Sequence, residues 1–458
     1  MQKDNFYKNV FRLAIPVATQ NMLSTCANLV DTAMVASLGN AEVSAVGVSG
    51  KWMFLINIMV LGIGAGASAQ ISQYYGADEK ENMKRTQCTA LVFCIGVALV
   101  YLLAALLFPR QLIAVFNDEP EVIKAGVEYI RIAALGVIPL AIANICAVAR
   151  RSVEDVKVPM YIAGVSVLIN TCLNYTFIYG NFGAPALGVK GAALATTISL
   201  TFQAIAFITI GIVKKHFSII AFKSIGDISS DFVKKFMKIS LPAVFNEEIW
   251  GGGIMICAAI FARQGSDNYA AYTIFDSVSS ITFIFFQGLG AASAVLIGKT
   301  VGAGKLNEAY DMAKKFMIAT PILGLIAGGL LIALRKPILM LFDIETMSAR
   351  MTVETLIIIF GIWLGMRMIS YTGVCGIFRA GGDSKFGVYL DLIGLYCFAI
   401  PAVLIAAYLF KAPFVVLVAT MMIVEDSAKV PITLYYLRSR RWIKRITQSS
   451  HTSEDQNV

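Results

Sequence analysis

Apolar residues run along this chain in blocks of about 20, long enough to cross a hydrocarbon core ~30 Å thick. Short polar stretches separate them. A backbone in lipid must satisfy its own amides, so each block is expected to be an α-helix. The pattern predicts twelve helices, over 10–36, 50–75, 88–108, 128–148, 160–180, 188–212, 237–262, 270–298, 315–334, 353–377, 387–409 and 413–437. The polar stretches differ in charge. Lys80, Lys84 and Arg85, then Arg150, Arg151 and Lys157, then Lys214, Lys215 and Lys223, and the tail from Arg438 to Arg445 all fall on one side if the helices alternate. The bias of basic residues toward cytoplasmic loops puts both termini in the cytoplasm. The first block has no small-residue cleavage site and carries polar positions, so it is expected to stay as a helix and not to be removed as a signal peptide.

Composition agrees: 57% of residues are hydrophobic and 15% charged, where a soluble domain carries roughly 25% charged residues. The net charge of +9 follows from the basic loops facing anionic headgroups, and no nucleic-acid partner is needed to explain it. The cysteines lie in or beside apolar blocks without CxxC spacing, and behave as small apolar residues. Ser293 to Thr300 ends like a phosphate-binding loop, but it begins on Ser and closes an apolar block. The histidines, His216 and His451, sit in polar segments. No metal, no cofactor and no enzymatic cluster is expected.

The chain is duplicated. Shifted by 226 positions, Gly62–Ala77 falls on Gly288–Ala303 with six of sixteen positions identical, and Pro16 and Gly39 fall on Pro242 and Gly265. A shift of 228 sets Arg151, Asp155, Lys157 and Tyr161 on Arg379, Asp383, Lys385 and Tyr389. Six helices per repeat start both halves on the same side, a parallel repeat about an axis along the membrane normal. The expected division is an N-terminal bundle over 1–212, a cytoplasmic linker over 213–236, a C-terminal bundle over 237–440 and a tail over 441–458. The fold class is an all-α membrane protein with two pseudo-symmetric six-helix bundles. Transporters of this plan bind substrate between the halves.

Polar residues inside the blocks mark candidate sites. A carboxylate at mid-membrane costs ~2.5 kcal/mol or more unless it faces a bundle interior or water. Asp31 is such a residue, in Asn28-Leu-Val-Asp31-Thr. It is a functional candidate for holding and releasing a proton, against a purely structural hydrogen bond. Pro16 lies about four turns earlier and is either a passive kink or a hinge. Asn170 and Asn174 are one turn apart on one face, and Thr196, Thr197 and Gln203 follow in the sixth block; these could equally be helix-packing glue. The second half carries Glu247, Glu248, Asp276, Arg367, Asp391, Glu425, Asp426 and Lys429. Adjacent helical residues diverge by ~100°, so only one of Glu247 and Glu248 faces a cavity. Glu248 is the weakly favoured one, with Asp276 as a further candidate. Glu425 and Lys429 are spaced to neutralise each other.

Taken in order, Ile15-Pro16, Asn28–Thr32, Gly62–Gly76, Asn170–Gly180, Gly191–Thr196 and Arg379–Lys385 make the chain resemble the multidrug and toxic compound extrusion (MATE) family, bacterial type, over about 1–440. The resemblance implies two six-helix bundles and efflux of cationic drugs in exchange for protons or sodium, from a monomer in the cell (inner) membrane among its lipids. It implies a cation-coupling set of Asp31, Asn170, Asn174 and Thr196, with Pro16 as hinge. Many members have Asp where this chain has Asn174, and some place an acid in the tenth helix. Here no acid lies between Thr355 and Gly382, and Arg367 is in that stretch. The expected function is therefore a multidrug efflux antiporter. The competing readings are a lipid-linked oligosaccharide flippase of the same superfamily and, from another class, an ion channel.

Overall fold

The computed structural model describes residues 3–214, 217, 228–342 and 346–447. His216, His451, the interior of the expected linker and the tail from 448 lie outside them. The described residues form twelve long helices: α1 Lys3–Ala36, α2 Asn40–Gly76, α3 Lys80–Leu107, α4 Pro120–Ser152, α5 Lys157–Tyr179, α6 Val189–Val213, α7 Ser230–Ala262, α8 Ser266–Gly302, α9 Leu306–Ala333, α10 Met347–Phe378, α11 Ser384–Leu409 and α12 Phe414–Ser439. No strand occurs among the described residues. Every predicted block falls on one of these helices, although several helices extend well beyond the apolar stretch. Ten are long and apolar enough to cross a membrane. The other two, α1 and α12, are long but interrupted by polar side chains, and both turn those side chains toward the centre of the molecule.

Two backbone details repeat along with the sequence. Gly39 and Gly265, which precede α2 and α8, have φ of 139° and 108°. Asp78 and Gly304 (φ 57° and 77°), and Glu154 and Gly382 (φ 66° and 94°), are likewise left-handed at matching turns. The amide of Asp155 reaches the Arg150 carbonyl at 3.0 Å, as the amide of Asp383 reaches that of Phe378. After α3 and after α9 a short helix follows, Pro109–Ala114 in one half and Arg335–Leu339 in the other. Positions 226 or 228 apart therefore make the same turns, which shared composition alone would not require.

The halves meet at the end where α1 begins. Gly62 of α2 lies so close to α7 that a Cβ would stand 2.5 Å from the Val244 Cα, and one on Gly288 of α8 would stand 2.5 Å from the Ala14 carbonyl of α1. The exchange is reciprocal. A Cβ on Gly76 would be 1.9 Å from the Lys299 carbonyl, and one on Gly302 would be 1.8 Å from that of Gln73. Only a residue without a side chain lets α2 and α8 touch backbone to backbone here. Polar ties reinforce the contact: Lys299 pairs with Glu154 at 2.6 Å, and the Gln73 amide donates to the Ala380 carbonyl at 2.8 Å.

The segment after α12 finishes this closed end. Trp442 is fully buried against the C-terminal half, with its ring over Gly381. Lys444 pairs with Asp383 at 2.6 Å. Ile446 then joins a buried apolar cluster made by α2, α3, α4 and the start of α7, while its amide donates to Gln73 Oε1 at 2.9 Å. Beyond the closed end the halves part. The inward faces of α1 and α2 stay exposed at Ser24, Asn28, Phe54 and Asn57.

Replacing Gly76 or Gly302 with valine should force α2 and α8 apart, and overpacking of this kind costs roughly 1–3 kcal/mol. Each variant should melt several degrees lower than the parent in detergent. Gly96→Val is the control, because nothing lies within 4 Å of a Cβ there. Equal melting of all three would refute the packing account of the closed end.

Candidate functional site

A cavity of about 1080 Å³ lies between the halves and reaches from the closed end to Val35 and Val43. Both halves contribute polar walls to it. They are built differently.

In the N-terminal half the polar positions of α1, α5 and α6 converge. Asp31 is partly buried on α1, and the Asn174 side chain donates to its Oδ1 at 2.5 Å. Asn170, one turn away on α5, reaches the same oxygen at 2.7 Å with its amide nitrogen turned to the acid. Both asparagines are buried, and no Lys or Arg pairs with Asp31 among the described residues. The carboxylate is therefore held by two neutral donors at the wall of the cavity. Tyr129 of α4 lines the same pocket. Thr196 is on the wall too, but its hydroxyl donates to the Ala192 carbonyl of its own helix at 3.0 Å and not to Asp31. Thr197 bonds the Ile132 carbonyl, tying α6 to α4, and Gln203 bonds Ser166 of α5 at 2.9 Å. Pro16 lies inside α1, which runs helical through it.

In the C-terminal half the charges are wired together. Arg379, in the turn after α10, donates to Glu247 at 2.9 Å and to Asn246 at 2.8 Å. Asn246 in turn donates to Asp391 of α11. Asp391 accepts from Lys429 of α12 at 2.6 Å, and Lys429 also bonds Glu425 at 2.5 Å. Arg367 of α10 lies 4.0 Å from Asp426. Wide π-helical turns occupy Thr372–Phe378 and Leu392–Ala399, so they immediately precede Arg379 and follow Asp391. Such turns re-aim side chains within a helix and are frequent at functional sites.

The two adjacent glutamates part as helical geometry demands, but not in the favoured sense. Glu247 lines the cavity and Glu248 does not; the preference for Glu248 is corrected. The register of α7 is fixed by Asn246 and Glu247 meeting Arg379, which turns Glu248 away, with its buried Oε1 lacking a hydrogen-bond partner among the described residues. Asp276 is exposed on α8 and outside the cavity lining. Sequence reasoning placed Arg379 in a loop motif and overlooked it, together with Asn246, as a cavity residue. The matched repeat of Arg151 and Arg379 was the available signal.

The chain is matched by the MatE family model over residues 16–176 and 242–405, one stretch in each half. It is 22% identical over 440 residues to a protein of Thermotoga maritima described as "Probable multidrug resistance protein NorM", covering 96% of this chain and 93% of that one. Its fold matches that of a mutant of the Vibrio cholerae MATE transporter VcmN, with a TM-score of 0.86 at 19% identity over 96% of this chain and 99% of the other. A structure titled as the outward-facing conformation of a multidrug resistance MATE family transporter matches with a TM-score of 0.85 at 17% identity, over 94% and 95% of the two chains. With a family model spanning both repeats and the fold of solved MATE transporters, the chain belongs to the MatE family, a family of membrane transporters and not of enzymes.

Proposed function

We propose that this protein is a multidrug exporter that expels organic cations in exchange for protons, with Asp31 as the group that carries the coupling proton. The observation that carries this reading is an acid in the cavity wall with two amide donors and no cationic partner among the described residues. A carboxylate in that setting can be neutralised by a proton or a drug cation, one after the other, which is the exclusion that exchange requires. That the cargo is drugs is inferred from the multidrug resistance proteins to which the chain is similar, and that they are cations from the acids Asp31 and Glu247 on the cavity wall.

The closed end carries Arg12, Arg150, Lys235, Lys299 and Lys444. Basic residues gather on the cytoplasmic side of a membrane, which supports both termini there and the present state as open to the outside. Export then proceeds by rocking the halves about the cavity, with Pro16 as a bend point in α1. The protein works as a monomer in the cell (inner) membrane.

Asp31→Asn should fold, yet lose gradient-driven efflux of dye from proteoliposomes, because an amide cannot exchange a proton. Dye efflux under imposed proton or sodium gradients is the measurement. Wild-type rates in the variant would sink the assignment, and efflux driven by sodium alone would replace the proton with sodium.

Asn174→Asp sets a second acid against Asp31. Two adjacent carboxylates hold a shared proton more firmly, so the pH profile of efflux should move to higher pH. An unmoved profile would make position 174 structural only.

Glu247→Gln leaves Arg379 without its carboxylate, and breaking a largely buried pair costs up to ~3–5 kcal/mol. It should weaken cation binding and melt at lower temperature. Glu248→Gln should do neither, and the reverse order would mean that Glu248 is the working acid.

A further inference from the structure

The cavity wall holds four cationic side chains, Arg151, Arg367, Arg379 and Lys429. Three of them have a carboxylate within 4.0 Å: Arg367 has Asp426, Arg379 has Glu247, and Lys429 has Asp391 and Glu425. Arg151, near the end of α4, has no ion pair and no side-chain hydrogen bond among the described residues. The acids that follow it in sequence are engaged elsewhere, Glu154 with Lys299 and Arg12, and Asp155 with Arg150.

The repeat explains how this comes about. Arg151 and Arg379 are equivalent at a shift of 228, and at the shift of 226 that relates α1 to α7, Asn246 and Glu247 correspond to Gln20 and Asn21. In the C-terminal half the equivalent pair neutralises its arginine. In the N-terminal half both counterparts are neutral amides. Asn21 is spent on Gln287 of α8 at 2.9 Å, and Gln20 leaves its Oε1 without a partner. Both halves have the arginine, and the second alone sets a carboxylate from the matching helix position against it. A guanidinium cannot discharge itself by losing a proton, and an unpaired charge in a wall of low dielectric is costly. Its planar fork matches a carboxylate with two parallel hydrogen bonds.

We propose that Arg151 is the charge of an anion subsite at the inner end of the cavity, which takes the carboxylate of amphoteric substrates and sets a preference for them over purely cationic analogues. This rests on the cavity being the drug site, as argued above, and deepens it by naming a substrate class. The amides of Asn144 and Gln203 line the same half of the cavity and can accompany the guanidinium.

Rhodamine 110 carries a free carboxyl group and rhodamine 123 is its methyl ester, so the pair isolates that one charge. Equilibrium binding of each dye to the purified protein gives an affinity ratio. Arg151→Gln should lower the ratio of rhodamine 110 over rhodamine 123 affinity by about 10-fold or more, and Arg151→Lys should restore part of it. Asn21→Glu, which installs the carboxylate that the other half possesses while leaving Arg151 in place, should lower the ratio in the same direction and keeps the test valid if Arg151→Gln does not fold. A ratio unchanged in the folded variants, or an equal loss for both dyes, overturns the subsite alone. A parent protein without gradient-driven efflux whose dye ratio still falls in Arg151→Gln counts against the coupling mechanism and leaves the subsite standing. A parent protein that binds neither dye overturns both.

Discussion

Everything in this architecture depends on two helices touching without side chains between them. At Gly76 and Gly302 the backbones of α2 and α8 approach each other reciprocally, each glycine resting on the carbonyl three residues ahead of its partner glycine, that of Lys299 for Gly76 and of Gln73 for Gly302. A contact related to itself by a pseudo-two-fold axis is self-complementary, as in a symmetric dimer. Around it the halves exchange elements: Phe6, Val10, Leu13, Ala14 and Val17 of α1 are buried in the C-terminal cluster, and Phe236 and Ile239 of α7 in the N-terminal one. The large apolar clusters lie mostly within one half or the other.

The same symmetry makes the difference between the two cavity walls informative. The C-terminal wall is a continuous chain of hydrogen bonds and ion pairs linking α7, α10, α11 and α12. Buried ion pairs contribute little net stability, because desolvation offsets their attraction, but breaking one leaves an uncompensated charge. The wall is thereby specified and stiff. Among the described residues the N-terminal wall carries a single acid on neutral amides and a single arginine without a partner. Its charges are free to meet something that comes and goes.

How much of this could be read from the sequence divides along a physical line. Length and apolarity decide whether a segment crosses lipid, and both are properties of the segment itself, so all twelve helices were legible, even α1 and α12 with their polar interruptions. The duplication was legible because loop residues such as Asp155 and Asp383 keep their spacing. The convergence of Asp31, Asn170 and Asn174 followed from one helical turn and the family resemblance. The choice between Glu247 and Glu248 did not, because the rotation of α7 about its axis is set by Arg379, 132 residues away. Thr196 lies where expected, but its hydroxyl prefers its own backbone, a competition that spacing cannot reveal.

The tail after α12 adds a consequence for how the molecule is made. Ile446 completes a cluster otherwise built from the first half and the start of α7, and its amide meets Gln73, 373 residues earlier. While the ribosome is still adding α12, that place stays empty. The first bundle can insert early, yet the joint between bundles cannot be finished until nearly the whole polypeptide has emerged. Synthesis thus delivers the halves unlatched and sets the latch last, so a chain cut short before Trp442 would enter the membrane with this seam unsealed.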